Sequence, residues 1–191
     1  RGASPRPIDN PRWFSLEGPG WVRISDVTSS SGVLRTTEQK MSSAGVARSV
    51  AIHPGDLIMS ICATIGEPVV SAIEACIHDG FVAFNDYGDD LETRYLYHFL
   101  RWWSPNFRSL GQTGTQANLN TGIVSNTSLL VPPKAEQRAI AAVLDTVDEA
   151  IRRTEALVTK LRQVKAGMLH DLLTRGLDDN GELRDPIRYP E

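Results

Sequence analysis

The chain has 191 residues, 41% hydrophobic and 23% charged, with a formal net charge of -3. That is enough for one well-packed domain plus an appendage, and it excludes bulk disorder. No apolar run approaches the roughly twenty residues that span a bilayer, and Arg1-Gly2-Ala3-Ser4-Pro5 lacks the apolar core of a signal peptide, so a cytoplasmic protein is expected.

The missing initiator Met points to a piece of something longer. Residues 1 to 133 carry ten basic and twelve acidic side chains, residues 134 to 175 carry eight and six, and the tail carries two and five. Nothing here is a basic stripe, so any attraction to DNA phosphates is modest or comes from partners. Cys62 and Cys76 sit in apolar, strand-like surroundings, where a free buried thiol competes with a disulfide.

In chain order, residues 1 to 20 read as loop around Trp13-Phe14. Trp21 to Ile24 reads as a strand, and Ser25-Asp26-Val27 leads from it into a turn over Ser29 to Gly32. Asp26 fits either an Asx-turn or a ligand contact. Val50-Ala51-Ile52 enters the turn His53-Pro54-Gly55-Asp56, and Leu57 to Ala63 follows as a central strand in which Leu57, Met59 and Ile61 alternate with Ile58, Ser60 and Cys62. Val69 to Ile73 pairs back on it. Ala75 to Ile77 reaches His78-Asp79-Gly80 and continues as Phe81 to Phe84. Short strands at this spacing describe a small, curved, antiparallel-rich sheet, and the fold class is α+β.

Asp89, Asp90 and Thr93 offer caps for a helix whose face is Leu96, Phe99, Leu100 and Trp103, with Ser104-Pro105 stopping or restarting it. Its aromatic residues suit the core or a stacking platform for bases. The stretch Gly111 to Gly122 is a polar loop carrying Gln112, Thr113, Thr115, Gln116, Asn118 and Asn120. Gln and Asn can bond an adenine edge twice and Thr can touch a thymine methyl, although an ordinary turn also fits. Val124 to Pro132 reads as a last strand.

Lys134 to Arg175 is a helix on the order of 60 Å long, with Pro132-Pro133 before it and Gly176 closing it. Ile140, Leu144, Val147, Ile151, Val158, Leu161, Met168 and Leu172 step by four and three, interrupted by Thr154 and Lys165. This is the seam of a coiled coil, widened by Val143, Ala150, Leu157 and Val164. A long helix in an ordinary bundle is the competing reading. The seam predicts self-association when no other long helix is available, with Thr154 and Lys165 setting register. The acidic tail from 176 to 191 is either a solvated end or a docking segment.

The parts of a catalytic site are not found. There is no phosphate loop, no GxGxxG and no Gly-x-Ser-x-Gly elbow, and His53, His78, His98 and His170 have no Cys or second His at metal-ligand spacing. His78-Asp79 could be a base and its orienter, but neighbours in a strand point to opposite faces.

Four stretches together resemble the specificity subunit of type I restriction-modification systems. They are Trp21 to Val27, Pro54 to Gly66, the loop through Gln116 and Asn118, and Pro132-Pro133-Lys134-Ala135-Glu136-Gln137-Arg138-Ala139-Ile140. Asp171 to Gly176 and Asn180 to Arg184 are similar to the ends of such subunits. The resemblance implies a target-recognition domain (1–131) reading one half of a split DNA target. A spacer helix (132–175) would pair antiparallel with a second helix. It also implies a non-catalytic scaffold for methylation and restriction subunits, which would carry S-adenosylmethionine, ATP and Mg. With one recognition domain and one helix, the chain is either a fragment or a half-subunit that restores the whole by self-pairing. DNA contacts are expected from the loop 112–120, with Arg23, Ser60 and Thr64 as further candidates. Where relatives often carry Arg after Ser-Ile, Cys62 stands here. The alternative is a coiled-coil interaction module that binds no DNA.

Overall fold

The computed structural model describes residues 1–85, 87–111 and 119–185. Its elements in order are a 3-10 turn Pro11–Trp13, β1 Phe14–Val22, α1 Ile24–Ser29, β2 Val33–Leu34, β3 Gln39–Met41, α2 Ser43–Val46, β4 Val50–Ile52, β5 Leu57–Ser60, β6 Pro68–Ser71, β7 Ala75–Ile77, β8 Phe81–Phe84, α3 Thr93–Leu110, α4 Thr121–Ser125 and α5 Lys134–Arg175. The chain divides into two compact units, Arg1–Ala141 and Ala142–Glu191. Gln137 and Ala141 are buried, so the first two turns of α5 belong to the first unit, and the division falls inside the helix rather than before it.

The first unit holds two four-stranded mixed sheets, ordered β3-β1-β7-β4 and β2-β6-β5-β8. Antiparallel pairs dominate, but β1 runs parallel to β7 and β2 parallel to β6. β5 is buried along its whole length, and its alternation sorts its side chains into two cores. Leu57 and Met59 pack with Leu96, Tyr97, Leu100 and Phe107 of α3. Ile58 faces the other way, toward Val22, Ile52 and Ile77 of the first sheet. The layers are therefore sheet, sheet and helix, with β5 inside both interfaces.

Four local expectations are corrected. The first strand ends at Val22, and residues 24–29 form α1 in place of the expected strand end and the lead-in to the turn, because the Asp26 carboxylate accepts the Arg23 backbone N–H at 2.8 Å and closes a helical turn while Val27 is buried. That contact, with a second from the Glu38 N–H at 3.2 Å, assigns Asp26 a structural role. β7 and β8 are not one strand; they lie in different sheets, and the Phe81 N–H bonds the His78 carbonyl at 3.0 Å across the turn between them. No strand forms over 124–132: residues 121–125 are α4, because the Asn120 side chain caps the Gly122 N–H at 2.8 Å, and the chain beyond it reaches α5 without regular structure. α3 also runs through Pro105, where the fully buried Phe107 holds the following turn in the core and outweighs the backbone bond that proline removes.

The second unit continues α5. Gly176 stops the helix at φ 69°, its N–H bonding the Leu172 carbonyl at 3.1 Å. The tail up to Asp185 then forms a tight turn, with a Leu177–Leu183 bridge and the Asp178 carboxylate accepting the Asn180 and Glu182 N–H groups at 2.9 Å each.

Candidate nucleic-acid interface

Ile61, just after β5, organises one end of the first unit. Its N–H bonds the Gly80 carbonyl and its carbonyl accepts the Leu119 N–H, both at 2.8 Å. These bonds set side by side the His78–Gly80 turn, the turn after β5 and the return of the polar loop. Gln112, Thr113, Thr115, Gln116 and Asn118 lie outside the described residues. The loop's two flanks are firmly held: the Gly111 N–H bonds the Phe107 carbonyl at 3.0 Å, and Leu119 is buried in the α3 core. Beside these flanks a groove of ≈ 580 Å³ is lined by Trp103, Leu110, Asn120, Asn126, Thr127 and Ser128. Sequence reasoning missed Asn126, Thr127 and Ser128, because their Asn/Thr/Ser composition reads as ordinary linker.

The remaining candidates divide. Asn120 is exposed, but its side-chain oxygen is used in capping α4. Thr64 is exposed on a turn strained at Ala63, φ 57°, and continued by Gly66 at φ 82°. Gly66 also lies so close to α3 that a Cβ there would sit 2.8 Å from the Ser104 hydroxyl. Ser60, by contrast, is fully buried; its hydroxyl donates to the Thr64 carbonyl and accepts the Glu67 N–H at 3.2 Å. It shapes the turn that presents Thr64 and does not face solvent. Arg23 is half-exposed and pairs with Glu38 at 3.1 Å.

Cys62 and Cys76 are free thiols. Burial pushes both up from the ordinary thiol range, with Asp79 adding to the effect at Cys62, so neither is primed as a nucleophile. Cys62 directs its sulfur at the Gly80 carbonyl at 3.7 Å, which gives it a packing role in place of a phosphate contact.

His78 and Asp79 do not form a base and its orienter. The Nδ1 atom of His78 accepts the Gly80 N–H at 2.9 Å, and the Asp79 carboxylate is taken by Ser4 at 2.7 Å and Arg6 at 3.2 Å. Burial holds the His78 imidazolium form down, and the Ser4 hydrogen bond is the main cause holding the Asp79 carboxyl below its usual range. For both groups the unfolded chain binds protons more readily. The His78 contribution is therefore intact above about pH 6.5 and is lost as pH falls through the folded value, and the Asp79 contribution is lost in a second, more acidic step. Thermal melts between neutral and acidic pH are expected to show both steps. In His78→Gln, which retains a hydrogen-bond acceptor, the first step disappears; an unaltered pH profile would contradict this assignment. Among the described residues no group of three His, Cys, Asp or Glu could hold a metal.

On α5 the seam residues Leu144, Val147, Ile151, Val158, Leu161, Met168 and Leu172 are 38–57% exposed. Ile140 is half-buried within the first unit. The long helix is thus present, with its seam open along the second unit.

Residues 20–163 match the family model of the type I restriction modification DNA specificity domain. The chain belongs to this family. The matched segment of this specificity-domain chain contains most of both sheets, α3, α4 and the larger part of α5. It is 21% identical over 119 residues to a Methanocaldococcus jannaschii protein named for the MjaX type I restriction enzyme specificity subunit, an alignment covering 62% of this chain and 28% of that one. Among solved structures it is similar to a chain from work on complex assembly and conformational transition of a type I R-M system, with TM-score 0.65 and 22% identity over 92% of this chain and 43% of that one. The HsdS subunit from Thermoanaerobacter tengcongensis gives TM-score 0.62 and 23% identity, covering 92% and 42%. The specificity-domain chain therefore spans less than half the length of these relatives, and at such identities the structural likeness establishes the fold.

Proposed function

We propose that this chain reads one half of a bipartite DNA target and serves as a scaffold for the methylation and restriction subunits of a type I restriction-modification enzyme. The observation that carries this reading is the specificity-domain match over residues 20–163. The anchoring of the flanks of a Gln/Asn/Thr-rich loop beside a groove that mixes apolar side chains with Asn120, Asn126, Thr127 and Ser128 supports it. Base contacts come from Gln112, Thr113, Thr115, Gln116 and Asn118, with Thr64 and Asn120 at the margin and Arg23 as a contact to the DNA backbone. The chain itself makes and breaks no bonds; S-adenosylmethionine, ATP and Mg reside on the partner subunits in the cytoplasm. No helix among the described residues is long and apolar enough to cross a membrane.

The spacer helix finds an antiparallel mate in a second copy or a second half-subunit. Supporting this is the open seam, together with the charge split along it. Residues 143–157 carry Asp145, Asp148, Glu149 and Glu155 against Arg152 and Arg153, whereas residues 158–175 carry Lys160, Arg162, Lys165 and Arg175 against Asp171. Antiparallel pairing sets the acidic half against the basic half, and parallel pairing sets like against like. The family match disfavours an interaction module without DNA binding. Gel-shift titrations with the methylation subunit test the reading: Gln116→Ala with Asn118→Ala is expected to erase sequence preference while leaving nonspecific binding. Unchanged preference would remove the loop from the site.

A further inference from the structure

A second groove, of ≈ 540 Å³, lies at the His78–Gly80 turn and is lined by Ser4, Arg6, Trp21, Arg23, Ser25 and His78 among others. The N-terminal segment forms one wall and is fixed there. The Gly2 N–H bonds the Phe81 carbonyl at 2.9 Å, the Ala3 N–H bonds the Ile77 carbonyl at 3.1 Å, and a Cβ on Gly2 would fall 2.0 Å from the His78 carbonyl oxygen. The Trp21 and His78 rings, with centroids 5.9 Å apart, lie at the other side. Two guanidinium groups reach solvent at the rim. Arg6 is 72% exposed and pairs with Asp79 at 3.2 Å; Arg23 is 46% exposed and pairs with Glu38 at 3.1 Å.

Exposed ion pairs of this kind are weak, so either arginine can exchange its carboxylate for another anion at small cost. The position of the groove selects which anion. Gly80, Ile61 and Leu119 are joined by successive backbone bonds, and neighbouring strands stand about 4.8 Å apart, so the Asp79 wall is on the order of 10 Å from the return of the recognition loop. Along one DNA strand that is roughly three base pairs at about 3.4 Å each.

We infer that Arg6 and Arg23 form a phosphate clamp that grips the DNA backbone beside the bases read by the 112–118 loop. This rests on the DNA-reading function proposed above and deepens it: the loop specifies, and the clamp positions without reading sequence. Arg6 and Arg23 each hold a separate phosphodiester, in place of Asp79 and Glu38 respectively, which explains how a chain of net negative charge can still grip DNA locally.

The test is a salt titration of the full chain on a short random-sequence duplex, followed by fluorescence anisotropy. For each lost phosphate contact the slope of log affinity against log salt is expected to become shallower by about 0.9, so Arg6→Ala with Arg23→Ala lowers it by about 1.8. Arg6→Lys with Arg23→Lys restores the slope, which a purely structural role would not do. Glu38→Gln, which frees Arg23, tightens binding several-fold. A charge-matched control, Arg152→Ala with Arg153→Ala on α5, leaves the slope alone. An unchanged slope in the Arg6/Arg23 variant, or an equal loss in the control, overturns the clamp while leaving the DNA-reading proposal standing. Absence of duplex binding by the wild-type chain at low salt, with the methylation subunit also present, overturns both.

Discussion

Gln137→Ala is expected to destabilise the first unit by about 2–4 kcal/mol, the largest single-residue effect predicted for that unit. Gln137 is fully buried. Its amide nitrogen donates to the Asp90 carbonyl at 2.8 Å and the Pro132 carbonyl at 2.7 Å, and its oxygen accepts the Glu92 N–H at 2.8 Å. Glu92 is the N-cap of α3, and its carboxylate receives Arg138 at 2.8 Å and Lys134 at 3.8 Å. One amide thus ties the start of α5 to the start of α3 and satisfies three backbone groups lying as many as 47 residues from it in sequence. Alanine leaves the Glu92 N–H without that acceptor and opens a cavity, each a recognised cause of large loss. Gln137→Glu should be at least as damaging at neutral pH, because a carboxylate cannot donate to two carbonyls and sits close to the Glu92 carboxylate, and it should recover partly in acid. All four tryptophans lie in the first unit, so denaturant unfolding followed by their fluorescence reports on it directly. A loss below about 0.5 kcal/mol would contradict this account, since surface changes without structural consequence stay within that range.

Val158→Asp with Leu161→Asp is expected to abolish self-association of the chain and leave the first unit intact. Both side chains are exposed in the single chain, at 41% and 57%, so they contribute little to its own core. Against the proposed mate they would be buried, and in a two-fold pair each substitution would be counted twice. Full burial of a Val or Leu is worth about 1.5–3 kcal/mol and about half of that is still to be gained at each position, so the four changes weaken pairing by about 3 kcal/mol or more, roughly 100-fold at least at about 1.4 kcal/mol per decade. Sedimentation velocity across a concentration series should show a monomer–dimer equilibrium for the wild type and a monomer for the variant. Helicity should fall in parallel, because a long isolated helix is marginal in water without a packed face. A wild type that sediments as a monomer at every concentration would remove self-pairing and leave a second half-subunit as the helix's mate.

The parts of the fold that were legible in the sequence are those decided by local pattern. β5 could be read because Leu57, Met59 and Ile61 alternate with Ile58 and Ser60, and α5 because its seam repeats across forty residues with a proline pair before it and Gly176 after it. What was not legible depends on bonds between distant residues. Whether Ala75–Phe84 is one strand or two is settled by Gly2 and Ala3, which bond the Phe81 and Ile77 carbonyls from the other end of the chain. Ile123 and Val124 have β-branched side chains that favour a strand, and a single Asn120 cap overrides them. Ser60 sits in a plausible solvent-facing alternation, but the turn after it folds back and consumes the hydroxyl.

The candidate site divides along the same line. The loop 112–118 stands out by composition, and the groove residues Asn126, Thr127 and Ser128 do not. Arg6 acquires meaning only when Asp79, 73 residues later, is brought beside it. In the sequence Gln137 is one member of the Pro132 to Ile140 motif, while its physical role, three backbone groups satisfied by one buried amide, is visible only in three dimensions.

The claim on which the rest depends is that this chain determines which DNA bases its partners act upon. Sequencing of methylated adenines in random DNA, after treatment with the methylation subunit, S-adenosylmethionine and this chain, tests it most directly. A split motif is predicted, with two-fold related halves if the chain pairs with itself, and loss of that motif with Gln116→Ala and Asn118→Ala. Methylation at the same positions without the chain, or an identical motif from the altered loop, would contradict it.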